Sequence, residues 1–99
     1  MEGSTTLADE LRVRRVEEVL SQESGQEGLL VDQRSGTVHV INATAVQVWE
    51  LCADEPSLGT LIAAVAAHYG VERELVDADV RELVRTFSGL GVVELIAPA

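Results

Sequence analysis

The chain has 99 residues, 46% of them apolar, and its 17 acidic and 7 basic residues give a net charge of −10. That length holds one domain with a single core, and Cys52, the only cysteine, excludes an internal disulfide framework and a cysteine-based zinc site. All the basic residues are arginines scattered from Arg12 to Arg85, so the gathered positive charge that nucleic acids and acidic membrane surfaces require is missing. No apolar run reaches the ~18–20 residues of a bilayer span, and the opening MEGSTTLADELRVRR carries acids where a secretory signal has an apolar stretch. The composition points to an acidic cytoplasmic protein whose partners are proteins or peptides, with no nucleic acid and no membrane.

Residues 1–11 are polar and aperiodic and are expected to form a flexible N-terminal tail, with the folded domain over 12–96. In residues 12–20, Val13, Val16, Val19 and Leu20 break strict alternation, which fits a strand with a bend or bulge, or a short helix; a strand is the favoured reading. SQESGQEG (21–28) reads as a polar loop, GLLVDQ as a buried strand, and TVHVI as the next strand across a turn in which Gly36 takes positive φ.

Asn42 is a suitable N-cap for a first helix from Ala43 to about Ala53, with Ala45, Val48, Trp49 and Cys52 on its apolar face. Asp54-Glu55-Pro56 ends that helix and Ser57 caps the second, whose stripe is Leu58, Leu61, Ile62, Val65 and Tyr69, with Gly70 just past its end. A third helix starts between Glu72 and Val76, its early acids matching the positive end of its dipole, and buries Val76, Val80, Leu83, Val84 and Phe87. Gly89 and Gly91 stop it, and residues 92–96 form a short extended segment. The expected fold is α+β and winged helix-turn-helix-like: a three-stranded antiparallel sheet followed by three helices.

No catalytic constellation emerges. His39 and His68 lie in different elements without metal-ligand spacing, and Asp77 and Asp79 point to different sides of a helix. Cys52 sits on an apolar face with no histidine near it in sequence, as a structural thiol does. Trp49 is the natural core keystone, and phosphate-loop, dinucleotide and hydrolase motifs are lacking. The reading is of no enzyme, no metal and no cofactor. The feature with binding potential is TVHVI: as an edge strand it offers unpaired backbone groups to which an extended peptide adds, against the third helix.

Residues 29–95 resemble the PqqD family of peptide chaperones, which act as precursor-recognition elements in the biosynthesis of ribosomally made, modified peptides. The matching pieces are LLVDQRSGTVHVIN with Gly36 and Ile41-Asn42, TAVQVWEL with Trp49, the Pro56-Ser57 helix start, LIAAVAAHYGV, and DADVRELVRTFSGLGVVEL with Asp79-Val80 and Gly91. Two positions depart from the family's habit: Thr60 stands where an acid is usual, and Ile41 where leucine is.

The resemblance implies that a precursor's leader peptide adds as a strand to Thr37, Val38, His39, Val40 and Ile41. Val76, Asp79, Val80, Leu83 and Thr86 then form the helix wall. It also implies delivery to a separate modifying enzyme, such as a radical SAM enzyme or a leader peptidase, by a monomer or homodimer. The alternative is a winged-helix DNA-binding regulator, which the fold supports by analogy alone and the acidity opposes. A dimerisation module using the same sheet edge is a further alternative.

Overall fold

A computed structural model describes residues 7–98. The elements in chain order are β1 (Arg12–Arg15), β2 (Val19–Ser24), β3 (Glu27–Asp32), β4 (Thr37–Ile41), α1 (Ala43–Leu51), a 3-10 turn (Cys52–Asp54), α2 (Leu58–Tyr69), α3 (Arg73–Gly89) and β5 (Val93–Ile96). The strands make a three-stranded antiparallel sheet in the order β2-β3-β4 and a separate two-stranded sheet of β1 with β5. The α+β reading holds, with three sheet strands leading into three helices.

Two expectations about the N-terminal half are corrected. Residues 12–20 are two strands belonging to different sheets. The chain turns at Glu17-Glu18, where the Val19 N–H donates to the Val16 carbonyl (3.0 Å) while the Val16 N–H donates to the Val92 carbonyl (3.0 Å). The irregular spacing of Val13, Val16 and Val19 arises there, since all three enter one core through a change of direction. The polar segment 21–28 is a hairpin: Ser24 pairs with Glu27, and Gly25 supplies the positive φ (67°) that a two-residue turn needs at its first position.

Helix boundaries follow capping chemistry. The Asn42 side chain accepts from the Ala45 N–H (2.8 Å), and Ser57 Oγ accepts from the Thr60 N–H (3.1 Å). Gly70 ends α2 in the left-handed region at φ 66°. After α1 the chain tightens into the 3-10 turn and reverses at Glu55, the one non-glycine residue with positive φ (52°) among those described.

The N-terminal segment departs most from expectation. Residues 1–6 of the expected tail lie outside the described residues, but residues 7–11 are strapped across α2 and α3. The first N–H groups of a helix have no partner within it; here the Leu58 N–H donates to the Leu11 carbonyl (2.7 Å) and the Gly59 N–H to the Asp9 carbonyl (2.9 Å). The Asp9 carboxylate pairs with Arg73 (2.8 Å) and with Arg81, which also reaches the Leu7 carbonyl (2.5 Å) and Asp77 (2.6 Å). Hydrogen bonds from Arg81 and then Arg73 hold the Asp9 carboxyl below its ordinary range.

The core is built from Val13, Leu30, Val48, Trp49, Leu58, Leu61, Ile62, Val84, Phe87 and Val92, with smaller side chains between them. Each large apolar side chain fully buried contributes about 1.5–3 kcal/mol. Phe87 of α3 meets the Trp49 ring of α1 edge-on, with centroids 5.9 Å apart at 86°, and the Arg15 guanidinium lies 5.3 Å from the Trp49 centroid. Gly28 lets α1 close on the sheet: a Cβ there would stand 2.4 Å from Val46 Cγ2. Burial pushes the Cys52 thiol up to about 12, away from the thiolate that nucleophilic chemistry needs.

Candidate functional site

β4 pairs with β3 on one side, in the register Gly28 with Ile41, Leu29 with Val40, Leu30 with His39, Val31 with Val38 and Asp32 with Thr37. Its other side is a sheet edge, where about half of the backbone N–H and C=O groups point away from the ladder. Because side chains alternate across a strand, Thr37, His39 and Ile41 share the face of fully buried Leu30. Val38 and Val40 lie on the opposite face and are 52% and 63% exposed.

On α3, Val76, Asp79, Leu83, Thr86 and the capping Leu90 recur at three- and four-residue spacing along one flank. Val76 and Leu83 are half-buried against the core, as is Ile41 of β4, so strand and helix flank border the same apolar interior. Asp79 and Thr86 are exposed, and the Thr86 hydroxyl donates to the Glu82 carbonyl (3.1 Å). Val80, named for the same wall, is only 3% exposed and belongs to the core, where its contacts are already made. Sequence reasoning passed over Leu75 (69% exposed) and Leu90 (39% exposed). The signal available was their spacing from Asp79 and Thr86.

The turn before β4 ties the strand to the end of α3. Asp32, buried at the end of β3, accepts from the Arg34 backbone N–H (3.0 Å), from Arg34 Nε (2.9 Å) and from Arg34 Nη2 (2.8 Å). The same Nη2 donates to the Gly91 carbonyl just beyond α3 (3.0 Å). The Gly36 N–H donates to the Asp32 carbonyl (2.7 Å), and Gly36 takes φ 76°, as the turn reading expected. One arginine thus fixes β4 relative to α3 at the end where the strand begins.

That arrangement has a pH signature. Hydrogen bonds from Arg34 hold the Asp32 carboxyl at about 2, below its ordinary 3.8. A depressed carboxyl contributes stability that is present above the unfolded value and is lost as pH falls through the folded one. Asp32→Asn is therefore expected to melt below the parent protein at pH 7. The gap should shrink as pH falls through 3.8 and close below about pH 2 in thermal melts. A gap independent of pH would show that the carboxylate charge is not what matters.

A concavity of about 680 Å³ lies elsewhere, between β1, the start of β2 and the 3-10 turn. Its lining mixes Arg14, Arg15, Glu17, Glu18 and Glu55, and Arg14 is already paired with Glu94 (2.6 Å). Among the described residues, no group of three His, Cys, Asp or Glu side chains is placed to hold a metal, and no helix is long and apolar enough to cross a membrane.

Residues 27–93 match the family described as coenzyme PQQ synthesis protein D (PqqD). No curated protein sequence matches the chain. Among solved structures, it is similar to TbiB1 in complex with the TbiA(beta) leader peptide, at 23% identity and a TM-score of 0.70, over 82% of this chain and 94% of that one. It is also similar to a lasso peptide synthetase B1 complexed with the leader peptide, at 24% identity and a TM-score of 0.68, over 83% of this chain and 96% of that one. These likenesses establish the fold. The family match runs from the first residue of β3 to the first residue of β5 and takes in β4 and α3, and the chain belongs to the PqqD family.

Proposed function

We propose that this chain is a non-catalytic recognition element that binds the leader region of a ribosomally made precursor peptide by strand addition to β4. In this reading residues 12–96 form the recognition domain, and the bound precursor is delivered to a separate modifying enzyme, such as a radical SAM enzyme or a leader peptidase. The observation that carries the proposal is the edge of Thr37–Ile41, unpaired on its outer side among the described residues, with Ile41 of that strand and Val76 and Leu83 of α3 half-buried against the same core. Family membership, and a fold shared with two proteins solved with leader peptides bound, support it.

Strand addition satisfies the outward backbone groups of β4 with main-chain bonds, and side-chain contacts supply selectivity. The alternation of β4 supports a two-faced geometry of recognition. Leader side chains beside Thr37, His39 and Ile41 turn toward Val76, Leu83 and Thr86, and those beside Val38 and Val40 turn to the other face. An extended peptide loses conformational entropy on binding, so micromolar affinity is expected. Tethering then raises the precursor's concentration at the enzyme to roughly the millimolar range without chemistry in this chain.

An amide-resolved NMR titration with the leader encoded beside the gene tests the reading, with a 20-bp duplex at low salt as comparison. Shifts confined to β4 and the Val76–Leu90 flank, saturating at micromolar peptide, are expected. Silence toward the leader together with DNA-dependent shifts would replace the proposal with the regulator. That second outcome has to contend with Arg81, which is already held by Asp77 and Asp9.

A further inference from the structure

The β2-β3-β4 sheet has one face on the helices and one that is open. Antiparallel sheets of this kind ordinarily make the open face polar. Here the register places Leu20, Val31 and Val38 in one cross-strand row and Gln22, Leu29 and Val40 in the next, all on the side opposite Leu30. Leu20, Val38 and Val40 are 51%, 52% and 63% exposed, and Leu29 and Val31 are half-buried between their neighbours. Five of the six positions are apolar, which marks an interaction surface.

We infer that this face is the docking surface for the modifying enzyme, an inference that rests on the proposed function. The leader reaches only its β4 margin, Val38 and Val40. Leu20 is on β2, two strand spacings (about 10 Å) from β4, while the side chains of an added strand reach only its immediate neighbour. A second copy fits poorly as well. These side chains offer a few hundred Å², against the ~800 Å² per partner of a free-standing interface, and each copy brings a net charge of −10.

The charge around the face describes the partner that fits. Glu27 continues the outward side of β3, and Glu17 and Glu18 stand where β2 begins, all exposed. Arg34, at the same end, is already held by Asp32. The complementary surface has an apolar centre and a basic rim. Because Val38 and Val40 belong to the strand that accepts the leader, an enzyme seated here lies against the bound peptide, and the small area suits a contact that releases after each delivery.

Leu20→Asp places a carboxylate in the face at the strand farthest from β4, and Val31→Thr changes its centre at nearly constant shape. Both would be compared with the parent for melting temperature, leader affinity, sedimentation, and kinetics of the purified modifying enzyme from the same gene cluster on leader-bound precursor. A KM raised about tenfold or more by Leu20→Asp and less by Val31→Thr, with leader Kd unchanged within twofold, is expected. Unchanged KM with normal leader binding overturns this inference and spares the proposed function. A tenfold loss of leader affinity assigns the face to the peptide, and a parent dimer dissociated by Leu20→Asp assigns it to a second copy; either overturns the inference. A parent protein that binds no leader removes the proposed function and this inference with it.

Discussion

Proline placed in turn at Val38 and His39 is expected to separate peptide binding from folding. Successive N–H groups of an edge strand alternate between the ladder to β3 and the open side. Proline removes one N–H and is tolerated in sheets where that N–H faces outward from an edge. One of the two variants should therefore keep a melting curve close to the parent while its leader affinity falls about 100-fold, the scale of a lost main-chain bond plus blocked strand approach. The other should melt earlier, because it breaks the β3–β4 ladder. Isothermal titration and thermal melts on both variants decide the matter. If both fold and both bind, the leader does not add to β4.

The second large effect concerns the joint that holds α3 in place. Phe87 is 1% exposed and meets Trp49 edge-on, linking α3 to the helix that follows β4. Phe87→Ala removes a buried ring and leaves a cavity, a change that typically costs about 3–5 kcal/mol, against total stabilities of about 5–15 kcal/mol for domains of this kind. Much of the protein's stability is at stake in that one substitution. Urea unfolding followed by fluorescence reads it cleanly, since Trp49 is the single tryptophan and lies at the altered contact. A loss below 1 kcal/mol would mean that α1 and α3 re-close around the gap and that the joint is not specific. Leu83→Ala, on the half-buried flank, should cost less stability and more leader affinity, which separates the wall of the site from the core behind it.

Much of this protein is determined within a few residues at a time. Asn42 and Ser57 start their helices because a side-chain oxygen reaches an N–H three residues ahead. Gly36 and Gly70 turn the chain because positive φ costs glycine little. The stripes of α1 and α2 were legible because helical periodicity is local, although Tyr69, placed on the α2 stripe, is 46% exposed at the end of that helix, and TVHVI was legible as a sheet edge because the chain enters α1 straight after it. On α3 the same periodicity sorted Val80, Val84 and Phe87 inward, but it could not say that Val80 would be sealed in the core while Val76 and Leu83 stayed half-open.

Tertiary structure decided what depends on residues far apart in the chain. The pairing of Arg12–Arg15 with Val93–Ile96 joins segments some 80 residues apart, and nothing inside residues 12–20 announces that they divide between two sheets. Asp9 looked like part of a loose tail because its partners, Arg73 and Arg81, lie 64 and 72 residues away. Arg34 read as a turn residue until folding brought the Gly91 carbonyl within 3.0 Å of its guanidinium. The open apolar face is of the same kind: Leu20, Leu29, Val31, Val38 and Val40 are unremarkable singly in three strands, and only the register lines them up on one side. Capping and turn preferences are short-range and written in neighbouring residues, whereas pairing, burial and ion-pair partners are settled by which distant segments the common core brings together.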